Sequence, residues 1–298
     1  MLALFCSDPF EPTLPDEPYL AEAAAAEAAG FEVGLIDHEA LVAGDLPRAI
    51  RKLRDPRPEA LYRGWMLTPT QYAALHAALA EREVHLVTSP AAYRRCHYLP
   101  DSYPAIEAWT PRSVWLPRAE GLELDRIMAA LASFGGSPLV LKDYVKSCKH
   151  AWEEACFIPD SADRAGVERV VNNFLEWQGE GLNEGLVFRE FVELAAIGTH
   201  AQSGMPLTKE YRAFVWRGQL VAVYPYWEAS SYEDTELPQE WLGELVGGVA
   251  SPFFTLDFAQ RREGGWLVIE LGDAQVSGLP PSAEPAAFYA ALARVGAR

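Results

Sequence analysis

Three lysines fall within eight residues in the run Leu139-Val-Leu-Lys-Asp-Tyr-Val-Lys-Ser-Cys-Lys-His-Ala-Trp152. An apolar strand delivers Lys142, and the loop after it carries Lys146, Ser147 and Lys149. Ammonium groups are point charges suited to phosphate oxygens, so the cluster could hold a polyphosphate. A solvated basic turn would have the same composition. A second run, Leu186-Val-Phe-Arg-Glu-Phe-Val-Glu193, is an apolar strand ending in acids. Where such a strand leaves its sheet, the backbone of Glu190, Phe191 and Val192 could meet the polar edge of a flat base such as adenine, and Glu193 could accept from ribose hydroxyls. An ordinary strand with a charged end reads the same way.

In Glu210-Tyr-Arg-Ala-Phe-Val-Trp216 the strand period puts Arg212 and Phe214 on one face and Tyr211, Ala213 and Val215 on the other. The arginine could form an ion pair or clamp a phosphate. Two further apolar strands deliver acids: Phe253-Phe-Thr-Leu-Asp257 and Trp266-Leu-Val-Ile-Glu270-Leu-Gly-Asp273. If they pair, Asp257 and Glu270 stand close, with Asp273 just beyond. Two carboxylates about 4 Å apart repel by roughly 4 kcal/mol at an effective dielectric near 20, which asks for a cation or a shared proton. Oxygen ligands alone select Mg2+ or Mn2+. The alternative is that these acids point to solvent on different faces.

The elements that must position these residues fall into two patterns. Strand-like runs at 1–6, 31–36, 60–63 and 84–88 alternate with helical runs at 19–29 and 70–82, as in a parallel α/β layer, with Thr68 or Thr70 capping the second helix. Residues 101–117, rich in Pro, Trp and Ser, read as the connection to a second unit. After a helix at 122–134 and the break Gly135-Gly-Ser-Pro138, the runs at 139–144, 156–158, 185–192, 210–216, 219–226, 253–260 and 266–271 suggest antiparallel strands. Helices are expected at 162–177 and near 238–247. Arg217-Gly218 and residues 262–265 are hairpin turns. The expected division is 1–115 as an α/β unit and 116–298 as a second unit.

At 298 residues the chain is long enough for two or three packed units. Its formal net charge of −17 should repel nucleic acid and anionic membranes, so a polyanionic ligand needs locally concentrated cations. No run of eighteen apolar residues is present, and the start lacks a signal-peptide pattern. Four cysteines without zinc spacing suggest free thiols in a reducing compartment, the cytoplasm.

The order lysine strand, strand ending in Glu, arginine strand and Asp…Glu-x-x-Asp hairpin resembles the ATP-grasp superfamily. Over residues 139–280 it is similar to the small R-two-K clade of bacterial and phage proteins, and more distantly to the eukaryotic cell-division-cycle ATP-grasp family that helps assemble translation initiation factor two. Lys142, Ser147, Lys149 and Ala151 stand in the order of that family's lysine turn, Arg212-Ala-Phe-Val215 resembles its arginine strand, and Leu61-Tyr-Arg-Gly-Trp-Met66 fits a preATP-grasp strand. The resemblance implies an ATP-grasp fold: a preATP-grasp α/β unit followed by an antiparallel sheet flanked by helices. It implies that Lys142 contacts the α- and β-phosphates with Lys146 or Lys149 assisting, and that Glu190 to Val192 meet adenine and Glu193 ribose. Arg212 would contact phosphate or acyl phosphate, and Asp257, Glu270 and Asp273 would hold Mg2+. Two departures stand out. The usual Glu-x-Asn is Glu270-Leu-Gly-Asp273 here, and the glycine-rich lid between two lysines is missing, with Ser147 to Ala151 as a shorter substitute.

Three functions follow. The first is an ATP- and Mg-dependent carboxylate–amine ligase acting through an acyl phosphate on an amino acid, peptide or protein end, with the acceptor read by the first unit and residues 199–209. The second is an ATP-binding assembly factor for a protein partner, with Trp216, Tyr224, Tyr226 and Trp227 as anchors if exposed. The third is nucleotidyl transfer through a covalent Lys142.

Overall fold

The computed structural model describes residues 1–53, 55–199, 206–227, 232 and 235–296. The chain begins with β1 (Leu2–Cys6), β2 (Glu32–Ile36), β3 (Arg57–Arg63) and β4 (Val84–Leu86), a parallel sheet in the order β2-β1-β3-β4. Every residue of β1 is buried, because helices cover both faces of the sheet. Thr68 caps the helix Pro69–Ala80 in a reciprocal capping box with Gln71.

The stretch 101–117 is not a bare connection. It holds the end of the helix Leu99–Ile106, which tolerates Pro104, and β5 (Ser113–Pro117). That strand is the edge of a second sheet with β6 (Leu139–Asp143), β7 (Phe157–Ile158) and β8 (Gly185–Glu190), ordered β5-β8-β6-β7 and antiparallel throughout. The boundary expected at 115 therefore falls inside a strand. The helices Leu124–Leu131 and Arg164–Gln178 cover this sheet and share a core of their own with it.

A short pair, β9 (Ala196–Thr199) and β10 (Pro206–Thr208), precedes the third sheet. That sheet holds β11 (Glu210–Trp216), β12 (Gln219–Pro225), β13 (Phe253–Gln260) and β14 (Trp266–Asp273) in the antiparallel order β12-β11-β13-β14. The β11–β12 hairpin turns at Arg217-Gly218, both with positive φ (50° and 73°), as such a tight turn requires. One face of the third sheet packs on the helices Leu99–Ile106 and Gln239–Gly248. On the other face Phe214, Trp216 and Phe253 join β1, β3 and the helices Leu20–Ala28 and Pro285–Gly296 in one core. The first and third sheets thus share hydrophobic core.

Candidate functional site

A cavity of about 540 Å3 lies between the second and third sheets. The second sheet contributes Val140 and Lys142 from β6, Ser147, Lys149 and Trp152 from the chain after it, and Arg189 to Leu194 from the end of β8. The third contributes Glu210 from β11, and Leu267, Ile269 and Glu270 from β14. Of the residues singled out in the sequence, Lys142, Ser147, Lys149, Glu190 to Glu193 and Glu270 meet here. The walls are apolar on both sides, with Val140 and Trp152 facing Leu267 and Ile269 across a slot. Trp152 also packs with Phe157 and Phe191.

The charged end of the cavity is built by strand register. Arg212, Asp257 and Glu270 occupy one row across β11, β13 and β14. Arg212 grips Asp257 through Nε and Nη2 at 2.8 and 2.7 Å, and its Nη1 donates to Gly278 O at 3.0 Å. Lys142 Nζ stands 3.6 Å from Glu270. Burial pushes the Asp257 carboxyl up and Glu270 adds to the rise, against the pull of Arg212. Glu270 goes the other way: burial would raise it, but Lys142, Lys149, Arg212 and Arg189 together lower it. Burial works against the charge on Lys149, yet Glu210, Tyr226, Glu270 and Asp257 outweigh it and the ammonium is held more basic than usual. Glu210 is buried and raised, with Lys149 as its main counter-charge.

A β-bulge completes the arrangement. Pairing with β13 passes from Val268 to Glu270 and leaves Ile269 unpaired. The extra residue lets Leu267 and Glu270, three apart, both line the cavity. Arg189 closes over the bulge by donating to the carbonyls of Val268 and Ile269 and to Thr110 Oγ1. Burial drops its guanidinium pKa to about 10.

Asp273 is a correction. It sits three residues beyond Glu270, so the strand period turns it to the opposite face. There it is fully buried, and Oδ1 accepts from Gln275 N and Nε2, both at 3.0 Å. Among the described residues no three His, Cys, Asp or Glu side chains gather in a metal-binding group. Gly272 holds the position two after Glu270, beside the paired hydroxyls of Thr255 and Ser277. The donor set that remains, Asp257 and Glu270 as cross-strand partners that repel each other, fits Mg2+ or Mn2+, which take one or two carboxylates and complete their shell with phosphate oxygens and water.

Lys146 is a second correction. It is exposed on a tight turn, where its backbone N–H donates to Asp143, and it does not line the cavity. Glu193 lines it but pairs with Arg262 at 2.7 Å. The N–H groups of Glu190 and Phe191 are committed to Arg112 O and Pro138 O, so Val192 is the next residue able to present a free donor. Ser147 to Ala151 ends in a 3-10 turn, Lys149–Ala151, followed by a π-helical turn, Trp152–Cys156. Of the 199–209 stretch, residues 200–205 lie outside the described residues. Trp216 is a core residue rather than a surface anchor, and Tyr224, Tyr226 and Trp227 are half-buried. Arg189 and Glu210 had no assigned role in the sequence. Glu210 could have been found from its position two residues before Arg212 on the same strand face, whereas nothing local marks the bulge that gives Arg189 its partners.

Residues 133–292 match the family model described as ATP-grasp domain, R-two-K clade family 3. No curated protein sequence matches. Several solved structures share the fold over nearly the whole chain. A RimK domain ATP-grasp protein from Sphaerobacter thermophilus is 16% identical, with a TM-score of 0.62 and 98% of both chains covered. The ATP-grasp ligase PsnB, complexed with minimal precursor, Mg and ADP, is 12% identical, with a TM-score of 0.58, covering 100% of this chain and 98% of its own. D-alanine–D-alanine ligase from Bacillus anthracis, complexed with ATP, is 15% identical, with a TM-score of 0.60, covering 98% of this chain and 93% of its own. With more than half of its length inside that family model and the same fold found from end to end in these structures, the chain belongs to family 3 of the R-two-K clade of ATP-grasp domains.

Proposed function

We propose that this chain is an ATP- and Mg-dependent carboxylate–amine ligase that works through an acyl phosphate and releases ADP. The observation that carries the reading is the meeting of Lys142 and Lys149 with Glu270 and Asp257 at one end of an apolar slot between two sheets. Neighbours named as ligases, and complexed with Mg and ADP or with ATP, support it.

The apolar walls Val140, Trp152, Leu267 and Ile269 hold adenine, and the Val192 end of β8 meets its polar edge. Lys142 and Lys149 neutralise phosphate oxygens. Mg2+ held by Asp257 and Glu270 would lower the charge on the transferring phosphoryl group. An acceptor carboxylate oxygen attacks the γ-phosphorus, the bond to the β,γ-bridging oxygen breaks, and ADP leaves with that electron pair. An amine then attacks the acyl carbon, the carbon–oxygen bond to phosphate breaks, and inorganic phosphate leaves as the nitrogen loses a proton. Arg212, fixed by Asp257, stabilises the oxyanion of this second step. No side-chain nucleophile is needed, in keeping with cysteines that are all buried, Cys96 and Cys156 having thiols pushed up to about 12 by burial.

The test is ADP release from MgATP with mixed carboxylates and hydroxylamine, a small amine that traps acyl phosphates as hydroxamates. Acceptor-dependent ADP and hydroxamate are expected. Tight ATP binding without acceptor-dependent turnover would favour the assembly factor instead, a reading weakened by the burial of Trp216. A stable protein–AMP adduct would point to nucleotidyl transfer through Lys142. Lys142→Ala should weaken MgATP binding by about tenfold or more, as loss of a charge-assisted contact does; unchanged affinity in a titration would count against the site.

A further inference from the structure

A second cavity, about 510 Å3, lies on the third-sheet side of the molecule. It is lined by Leu207, Arg212, Tyr226, Trp227 and the Gly278-Leu-Pro-Pro281 segment. The row Arg212–Asp257–Glu270 connects the two, since Glu270 lines the first cavity and Arg212 the second. β11 and β14 are two strand spacings apart, roughly 10 Å, which leaves room for a phosphoryl group between an acceptor at Arg212 and a nucleotide at Glu270.

The composition of this second cavity selects among carboxylates. A guanidinium has five N–H donors. Two of those on Arg212 go to Asp257 and one to Gly278 O, which leaves two for a ligand. The Tyr226 ring lies 5.0 Å from the guanidinium carbon and meets Trp227 edge-on at 4.9 Å. The Trp227 indole N–H is buried and completes no hydrogen bond among the described residues. Among the described residues Arg212 is the one charged residue of the lining, and no carboxylate of theirs lines it to receive an ammonium group.

We infer that the acceptor is a carboxylate borne by an apolar, ring-bearing or branched residue whose own nitrogen is acylated, such as the carboxyl end of a peptide, with Trp227 and Tyr226 reading the side group and Arg212 the carboxylate. This rests on the ligase reading and narrows its substrate. Among the described residues, a free zwitterionic amino acid or an acidic side group would find no partner for its extra charge beside Leu279, Pro280 and Pro281.

The experiment compares N-acetylphenylalanine, N-acetylproline and N-acetylleucine with N-acetylaspartate, N-acetyllysine and glycine, using MgATP and hydroxylamine. The apolar set should exceed the charged set by about tenfold or more in kcat/KM. Trp227→Ala should erase most of that preference, mainly through KM, and Trp227→Phe should restore much of it. Equal use of charged acceptors, or a preference unchanged in Trp227→Ala, overturns the inference. Saturation-transfer NMR on the same compounds covers an enzyme that binds but does not turn over. Apolar compounds that bind no better than charged ones, or bind independently of Trp227, overturn it as well. MgATP binding is titrated in parallel: its absence from the wild-type protein would sink the nucleotide site itself, whereas intact MgATP binding with the wrong acceptor preference sinks only this inference.

Discussion

Asp273 shows how much one residue of strand phase decides. Turned away from Glu270, it is buried among Tyr72, Tyr93 and Gln275, and burial pushes its carboxyl up to about 7 against the two bonds from Gln275. In the unfolded chain an aspartate titrates near 3.9. Between about 4 and 7 the folded protein keeps a proton that the unfolded chain has lost, so this residue makes stability fall as pH rises through that window, by ~4 kcal/mol at most. Asp273→Asn should remove this fall: its urea midpoint relative to that of the wild-type protein should rise between pH 5 and pH 8. Lys142, Lys149 and the Asp257–Glu270 pair could be picked out in the sequence by residue type and spacing, whereas the same signal wrongly included the exposed Lys146. Asp273 looked equally acidic, and only the alternation of side chains along β14 separates it from its neighbours.

At the scale of elements, the strands around the site were legible because apolar runs end where acids and lysines begin. β11 and β13 have the bounds expected for them, and the Arg217-Gly218 turn joins the strands it was expected to join. Residues 101–117 were misread because Pro, Trp and Ser suggest a linker, yet a helix can carry Pro104 when tertiary packing holds it, and β5 gains its place only by pairing with β8. The Ile269 bulge is invisible locally because it exists only relative to β13. Arg189 satisfies the carbonyls that the bulge exposes. Replacing it with Met should leave the Ile269 carbonyl without this donor, while Thr110 still donates to Val268 O at 2.9 Å, costing ~1–3 kcal/mol in denaturant unfolding, with Arg189→Lys recovering part of the loss.

Across the whole molecule, a buried ion pair fastens the first sheet to the third. Arg63 holds Glu22 through Nε and Nη2 and donates to the carbonyls of Ala274 and Ser277, while Tyr289 donates to the same glutamate. Arg63→Ala should destabilise by ~3–5 kcal/mol because Glu22 is left charged and buried, whereas Arg63→Met combined with Glu22→Leu should return only part of that, since the Ala274 and Ser277 carbonyls and the Tyr289 hydroxyl lose these partners. A calorimetric comparison of the two variants decides whether the charge itself or the filled space matters. His97 opposes the Asp273 trend over nearly the same pH window. Burial lowers its pKa to about 4, so its contribution is complete above about 6.5 and is lost as pH falls towards 4.

The inward placement of Lys142 and Lys149, each facing a carboxylate inside a molecule of net charge −17, has a kinetic corollary. An approaching nucleotide meets the repulsive far field of the whole surface before it feels either ammonium. At about 0.01 M ionic strength that field reaches some 30 Å, and at 0.15 M about 8 Å. Added salt should therefore speed the capture of ATP in stopped-flow traces while hastening its escape, the reverse of the slowing expected for an openly basic pocket.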